Sequence, residues 1–469
     1  MSGGWLGLNT ALRGLVASQT MLETAAHNTS NANTPGFSRQ RASLVASDPY
    51  SYPTFNRSGL AGQVGTGVTV STITRVRDAF IDLQLRGQVS LEGDWTARRD
   101  ELAKVEAVMA EPSASGLGSV LAKFWGSWQD VAADPTNSAT RASLVEQAST
   151  LAARFNSTAN QLKTLAQGID VQVRQDVATI NDLAGRLAAL NTQIQAVQVS
   201  GDHPNDLQDQ RDVLLDQLAA IVPVTLHGEN DGTVTVLLGG TDLVSSGRSR
   251  TLTTVIDNAG KVMPEWSDGG TLLLSGGRLA ALIDIRDVKL AGYEASLDTL
   301  ATGIADAVNV VHVTGVDAAG NPGLAFFTYT SGSAAATLAV NPAIAANASL
   351  VAAASAPNQP GDGSIAGAIA DLSDSRAFNA STQTASDFYG SLIGQIGTDA
   401  RQATEMASNQ GLVTGALKQR RDSTSGVSLD EEAADMVRFQ HSYAAAARVI
   451  TTIDQMLDTL INRTGLVGR

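Results

Sequence analysis

The chain of 469 residues contains no cysteine. This absence excludes disulfide bonds and zinc sites built on thiolates, and it is compatible with an oxidising or a reducing compartment. The sequence also lacks an apolar run of about 18 residues, so it predicts no membrane-spanning helix. The N-terminal stretch holds Arg13 but no long apolar core, and it therefore predicts no cleaved signal peptide.

Basic residues are in the minority. The chain has 32 Lys and Arg against 46 Asp and Glu, which gives a formal net charge of −14. Nucleic acids and anionic membrane surfaces bind to clusters of basic side chains, so we expect neither as a partner. The 43% hydrophobic content is enough for real cores in more than one domain.

Motifs that carry chemistry are missing as well. No nucleophile elbow, Walker loop or dinucleotide fingerprint occurs, and Gly62, Gly65 and Gly67 are expected in turns because no Lys-Ser/Thr pair follows them. Asp206, Asp209 and Asp212 recur at every third residue, and with Arg211 among them they predict a solvated face rather than a cation site. The histidines lack paired spacing; they are His27, His203, His227, His312 and His441. We therefore predict no catalytic, metal or cofactor site and no enzyme.

Residues 428–463 form a proline-free stretch with a heptad seam, the strongest pattern in the chain. Ser428 and Glu431 have the spacing of a helix capping box, and Gly465 is the predicted stop. A helix this long at the end of a chain needs cover from another part of the protein or from another protein. The seam residues, spaced 3 and 4 apart in alternation, are Met436, Phe439, Tyr443, Ala446, Ile450, Ile453, Leu457 and Leu460.

The N-terminal stretch repeats this spacing and offers a partner for the C-terminal helix. Its predicted seam is Trp5, Leu8, Leu12, Leu15, Gln19, Leu22, Ala26 and Thr29. The two seams predict long terminal helices that form an antiparallel coiled-coil pair. Spacing alone leaves open whether the seams are covered within one chain or serve as an assembly interface.

A turn is predicted directly after the N-terminal helix. In Thr34-Pro35-Gly36-Phe37 the proline presets the first central residue, and the glycine supplies the positive φ of the second. The whole string Asn31, Ala32, Asn33, Thr34, Pro35, Gly36 and Phe37 resembles the signature of the flagellar axial proteins, which form rod, hook and hook-associated structures. Thr29 and Ser30 depart from that family, which usually carries isoleucine and alanine there.

Further stretches are similar to the hook-associated members of that family. They are Ser38-Arg39-Gln40, Pro204 to Asp212 with Asn205 as a predicted helix cap, and Leu429 to Ala434 with the seam that follows. The resemblance covers about residues 5–90, 95–222 and 380–463. It implies a structural, non-catalytic subunit at the junction of hook and filament that assembles through its terminal helices.

The resemblance also implies partners and a location. The expected partners are further copies of the chain, the hook protein, a second junction protein or the filament, and a cytosolic export chaperone on the C-terminal helix. The expected location is the extracellular flagellum, after export from the cytoplasm without a cleaved signal peptide. The predicted assembly interface is Trp5, Leu8, Leu12, Leu15, Leu22, Met436, Phe439, Tyr443, Ile450, Ile453, Leu457 and Leu460. Two alternatives stay open: another axial subunit, such as a hook or distal rod protein, and a stand-alone helical binding protein.

Between the termini the patterns predict a mainly α fold. Helical spacing places Leu117, Phe124 and Trp128 in a helical-bundle core, and Val224 to Leu238 predicts a β-hairpin. The predicted segments are 1–40 (axial helix and turn), 41–88 (extended connector with strand character), 89–222 (helical domain), 223–275 (small β-rich segment), 276–315 (helical domain), 316–375 (exposed acidic insertion, small and irregular), 376–425 (helical domain) and 426–469 (C-terminal axial helix).

Overall fold

The structure, a computed structural model, describes residues 2–49 and 65–463. Gly62, Gly465 and part of the predicted connector lie outside these residues. The fold is mainly α, as predicted, with 65% of the residues helical and 12% in strands. No helix in the described ranges combines the length and the apolarity that crossing a membrane requires.

Helices dominate both ends and the centre. The α-helices are α1 (Ser2–Ser30), α2 (Ala79–Met109), α3 (Leu117–Ala133), α4 (Ser138–Val199), α5 (Asn205–Ile221), α6 (Gly277–Asp284), α7 (Ala291–His312), α8 (Ala334–Thr337), α9 (Pro342–Ala346), α10 (Ser364–Ala370), α11 (Ala385–Ser425) and α12 (Leu429–Asp458). A π-helical turn, Ile285–Leu290, joins α6 to α7, and another, Thr459–Arg463, extends α12. Short 3₁₀ turns occupy Ala348–Leu350 and Asp371–Asp374.

The strands form small antiparallel sheets. They are β1 (Gln40–Ala46), β2 (Val68–Arg75), β3 (Val224–Gly228), β4 (Val234–Leu238), β5 (Thr241–Ser245), β6 (Arg248–Ser249), β7 (Leu252–Ile256), β8 (Val262–Trp266), β9 (Phe327–Thr328) and β10 (Ala339–Val340). The predicted hairpin is confirmed: Val224 of β3 pairs with Leu238 of β4. The order β3-β4-β5-β6 follows the chain, and β1 with β2, β7 with β8, and β9 with β10 pair separately.

The described residues form two compact units, each assembled from distant parts of the sequence. The first unit takes its residues from 1–89, 180–251 and 412–469. The second unit comprises 90–179 and 252–411. Strands β3 to β6 thus belong to the first unit, and β7 and β8 to the second. The division into eight segments stays a prediction.

An aromatic core organises the second unit. The apolar face predicted on α3 is buried, with Phe124 and Trp128 fully inaccessible. Phe326 packs against Trp128 with ring centroids 5.1 Å apart, and Phe327 packs against Phe124 at 5.6 Å. Aromatic pairs at such distances stabilise a core beyond their area burial. The segment that contains Phe326 and Phe327 is therefore part of this core.

The prediction that residues 316–375 form an exposed insertion is wrong. Besides Phe326 and Phe327, Ile344 and Ile369 are fully buried. The segment also approaches α3 so closely that a Cβ on Gly363 would lie 2.2 Å from the Ala132 carbonyl oxygen. The sequence did not predict this burial, because many of the buried positions here are alanines and form no apolar pattern with helical or strand spacing. Small residues permit close backbone packing instead.

His312 ties this segment to α7. Its ring is fully buried; Nδ1 donates to the Leu324 carbonyl oxygen at 2.6 Å, and Nε2 accepts from the Ala352 N–H at 2.8 Å. Burial lowers the pKa of His312 to about 4, and the nearby charge of Arg141 acts in the same direction. The native ring is therefore neutral at neutral pH.

This neutral histidine makes the stability of the second unit depend on pH. In the unfolded chain the pKa of His312 is about 6.5, so the unfolded state binds the proton first as the pH falls. The stabilisation is complete above pH 6.5 and is lost toward pH 4. Between pH 6.5 and 5 we expect the free energy of unfolding to drop by roughly 2 kcal/mol. Urea unfolding followed by tryptophan fluorescence checks this.

The matched variants are His312→Gln and His203→Gln, because His203 is exposed. His203→Gln should keep the pH dependence between pH 6.5 and 5, and His312→Gln should remove it. An unchanged slope in His312→Gln would contradict the assignment.

Candidate functional site

The terminal helices pack against each other in antiparallel orientation within the first unit. Near one end of the pair a Cβ on Gly7 of α1 would lie 3.3 Å from Cδ1 of Ile453 on α12. Near the other end, Nδ2 of Asn28 donates to Oε2 of Glu432 at 3.2 Å. The predicted antiparallel arrangement of the two helices is therefore present within one chain.

The stripe of α1 that is covered in this pair differs from the predicted one. Positions 7, 11, 14, 18, 21, 25 and 28 carry mostly small side chains, and Ala11, Ser18, Ala25 and Asn28 among them are buried. Each position of the predicted seam follows a covered position by one residue, which corresponds to a rotation of about 100° around the helix. These predicted positions are 8, 12, 15, 19, 22, 26 and 29. Small residues allow closer helix packing than leucines, so this face turns toward the rest of the first unit.

The predicted interface residues on α1 consequently remain partly or fully accessible. Trp5 is 65% exposed and Leu12 is 49% exposed. Leu8, Leu15 and Leu22 are half-buried. On this helix the predicted seam is therefore an outer face rather than an inner one.

On α12 most residues of the predicted seam lie on the covered side of the helix. Ile453 is buried, Met436, Phe439, Ile450 and Leu457 are half-buried, and Tyr443 and Leu460 are exposed. Ser428 caps the helix, since its side chain accepts from the Glu431 N–H. Other large apolar side chains of α12 point outward. We call the exposed large apolar residues of α1, of α12 and of the π-helical turn after α12 the outer apolar set: Trp5, Leu12, Val16, Leu429, Val437, Tyr443, Val449, Met456, Leu460 and Ile461.

The turn after α1 has the predicted form. The Phe37 N–H donates to the Thr34 carbonyl oxygen at 3.1 Å, and Gly36 adopts φ +80°. Glycine is needed for a second reason, because a Cβ at this position would lie 2.1 Å from Cγ2 of Val213. The turn thus lies directly on α5, and Thr34 bonds Asn31 through Oγ1 at 3.1 Å.

A network of hydrogen bonds and ion pairs joins the residues after this turn to both terminal helices. Asn28 is buried and exchanges two hydrogen bonds of 2.9 Å with the backbone of Gln40. Arg39 pairs with Glu432 through Nε at 2.7 Å and with Glu431 through Nη1 at 2.6 Å. Burial disfavours the charge on Arg39, but these two carboxylates outweigh it and raise the pKa of the guanidinium. The first turn of α12 is therefore fixed by residues next to α1.

A buried cluster of ion pairs lies behind the turn. Its carboxylates, on α2 and α5, are Asp82, Asp209, Asp212 and Asp216, and its guanidinium groups are Arg75, Arg77, Arg86 and Arg421. Asp209 also accepts from the Ser38 N–H and the Ser38 hydroxyl, both at 2.8 Å. The cluster thereby connects the residue after the turn to α5.

The prediction of a solvated face for Asp206, Asp209 and Asp212 is wrong for the last two. Asp209 and Asp212 are buried, and only the Asp206 carboxylate is largely exposed. The recurrence of aspartate on one face of α5 was the available signal, but its basic partners are more than 120 residues away in sequence. Asn205 also differs from prediction: Pro204 holds the N-cap position, and the Asn205 amide donates to Oε1 of Gln40 at 3.1 Å.

The carboxylates and the guanidinium groups of the cluster neutralise one another's charge, which does not indicate a reactive site. Burial alone would raise the pKa of Asp212, but the charges of Arg77, Arg86 and Arg75 outweigh it and hold the pKa below its usual range. Arg211 differs, because burial and repulsion from those arginines lower its pKa to about 10. Among the described residues, no group of three or more His, Asp or Glu side chains could hold a metal ion.

Paired terminal helices with large apolar side chains on their outer faces are typical of a subunit that packs against other proteins. Comparisons with known proteins agree. Residues 102–327 match the model of the flagellar hook-associated protein FlgK helical domain, and 418–463 match that of the flagellar basal body rod FlgEFG protein C-terminal.

Similar proteins extend over the whole chain. Flagellar hook-associated protein 1 of Bacillus subtilis is 32% identical and covers 100% of both chains. Its counterparts in Salmonella typhimurium and Escherichia coli are 27% identical and cover 97% of this chain and 99% of theirs. The solved structure of the flagellar hook junction protein FlgK from Burkholderia pseudomallei has the same fold, with a TM-score of 0.68 at 18% identity, and covers 73% of this chain and 100% of that one.

The chain belongs to the flagellar hook-associated protein 1 (FlgK) family. It is a structural, non-enzymatic component of the bacterial flagellum, and it assembles with other flagellar components.

Proposed function

We propose that the chain is a subunit of the junction between hook and filament and that it assembles through the outer apolar set. The observation that carries this proposal is the orientation of α1. Its small residues face the first unit, whereas Trp5, Leu12 and Val16 are exposed. Full burial of a large apolar side chain contributes roughly 1.5–3 kcal/mol, so several such contacts per subunit are enough to drive assembly.

The partners follow from this surface. Further copies of the chain form the ring or helical array, the hook protein lies on one side, and a second junction protein or the filament lies on the other. A cytosolic export chaperone covers α12 before assembly, because an apolar helix face exposed in the cytoplasm promotes aggregation. The chain then leaves the cell and acts outside it.

A second candidate is another axial subunit, such as a hook or distal rod protein. The match of residues 418–463 to a rod-protein family favours it specifically. Removal of the chain from cells separates the two. A junction subunit leaves complete hooks that lack filaments, with flagellin released into the medium. A hook or distal rod subunit leaves no complete hook. Electron microscopy of the cell surface distinguishes these outcomes.

Leu12→Asp tests the outer apolar set. It places a charge where an apolar partner is expected in the assembly, but Leu12 is already 49% exposed in the chain itself. We expect the isolated protein to lose no more than about 2 kcal/mol of stability, because only half of the Leu12 side chain is buried in it. Cells with this variant should build hooks and fail to retain filaments, as counted by microscopy.

The matched control is Val171→Asp, since Val171 is 49% exposed as well but lies in the second unit. Cells with Val171→Asp should keep their filaments. An immunoblot of the culture medium shows whether Leu12→Asp is exported, because a block in export would also remove filaments. Normal filaments on cells that export Leu12→Asp would contradict the proposal.

A further inference from the structure

The first turns of α2 carry an apolar face that points away from the first unit. Phe80 is 64% exposed and Leu83 is 62% exposed, and a Cβ on Gly87 would meet no atom within 4 Å. The charged residues of this stretch, Asp82 and Arg86, both point inward into the ion-pair cluster. The outward face is therefore uncharged and indented at Gly87, and it is apolar except for the exposed Gln84.

The end of α11 in the first unit carries a second face of the same kind. Leu412 is 72% exposed, a Cβ on Gly415 would meet no atom within 4 Å, and Ala416 is exposed one turn after Leu412. The opposite side of the helix, marked by Thr414, is buried. Residues 408–417 contain no charged side chain.

The charge of the chain favours a second copy of the same chain as the occupant of these faces. With a formal net charge of −14, copies of the chain repel one another unless they meet where neither carries charge. A basic partner would find no acidic side chain on either face. A second copy of the same chain satisfies both faces at once, because each is apolar and each has an open glycine next to a large residue.

Within one chain α2 and α11 already run antiparallel, because a Cβ on Gly411 of α11 would lie 3.7 Å from Oε1 of Glu92 on α2, whereas Arg421 lies near Asp82. Arg421 of α11 lies 4.0 Å from Asp82 of α2, and both Arg421 and Arg86 bind Asp216. We propose that the outer face of α11 in one subunit packs on the outer face of α2 in the next, again antiparallel. In this register Leu412 lies over Gly87 and Ala416 lies over Leu83. The contact is head-to-tail, so it repeats around an array instead of closing a dimer.

This lateral contact rests on the proposed function, because it is too small to act alone. The helix segment from Phe80 to Gly87 is about 11 Å long, and one such ridge buries far less than the roughly 1,200 Å² of a stable interface. We therefore expect it to form only when the outer apolar set holds the subunits side by side. The isolated protein stays monomeric.

Cysteine cross-linking tests the contact cleanly, because the chain has no cysteine of its own. Leu83→Cys and Ala416→Cys are placed in separate copies of the full chain and co-expressed in cells that lack the native protein. Purified hook–filament particles are oxidised and separated by non-reducing electrophoresis. Mixed particles should give disulfide-linked dimers, since a disulfide forms where Cα atoms come within about 7 Å.

Particles that contain one variant alone should give no dimer, because the contact joins two different faces. Absence of dimers from mixed particles, or equal amounts from Leu83→Cys alone, would overturn the inference. Gly87→Cys with Leu412→Cys repeats the test in the same register and decides the result if the first variants are not incorporated. An immunoblot of particles with the unmodified chain separates the two proposals. If the unmodified chain is absent from the hook–filament particles, the proposed function and this contact are both overturned. If the chain is present but mixed particles give no dimers, the contact alone is overturned.

Discussion

Asp212→Asn should destabilise the first unit by about 3–5 kcal/mol, the cost of removing one partner from a buried ion pair. The Asp212 carboxylate is buried and lies within 3.3 Å of guanidinium nitrogens of Arg75, Arg77 and Arg86. Asparagine keeps the shape of the side chain and removes its charge. The three guanidinium groups, which are only 11–15% exposed, would then share fewer carboxylates and repel one another.

Asp206→Asn is the matched control, because Asp206 lies on the same helix with its carboxylate 54% exposed. It should change the free energy of unfolding by at most about 0.5 kcal/mol. Urea unfolding measures both variants, and hydrogen exchange shows whether α5 and the turn at residues 34–37 lose protection first. Equal stability of the two variants would contradict the role of the cluster.

The Asp212 carboxylate also predicts a response to acid. Its native pKa is lower than in the unfolded chain, so its stabilisation is present above about pH 4 and is lost as the pH falls further. This window lies below that of His312. The two titrations can therefore be separated in one series of unfolding experiments.

Phe326→Ala should destabilise the second unit by about 3–5 kcal/mol, since it leaves a cavity in a close-packed core. Phe326 is fully buried against Trp128 and His312, with ring centroids 5.1 and 5.3 Å away. Leu324→Ala is the control in the same segment, because Leu324 is 41% exposed, and it should cost less than about 2 kcal/mol. Thermal or urea unfolding of both variants measures the difference. Similar melting temperatures would contradict the place of this segment in the core.

The sequence predicted elements whose signal is local. The helix start at Ser428, the turn at Thr34–Phe37 and the hairpin of β3 and β4 each follow from neighbouring residues, and all three are present. The buried face of α3 is equally local, because one helix displays its whole apolar stripe in sequence. Such features need no knowledge of what packs against them.

Features that depend on a distant partner were harder to predict. The seam of α1 was assigned to its large residues, yet helix packing selected the small ones, as Ala11 and Ala25 show. Asp209 and Asp212 resemble solvated residues until Arg75, Arg77 and Arg86 are brought to them by the fold. The core role of residues 316–375 was missed because alanine is compatible with either burial or exposure.

The hydrogen bond from Asn28 to Glu432 spans 404 residues of sequence. Because translation runs from the N- to the C-terminus, α1 is synthesised about 400 residues before its partner α12. For most of that time the small-residue stripe of α1 has nothing to pack against. Closing so long a loop in an unfolded chain would cost several kcal/mol of entropy, by a logarithmic estimate of about 5. Folding of the residues between them lowers this cost by bringing the two helices together, so we expect the pair of α1 and α12 to form after the residues between them have folded.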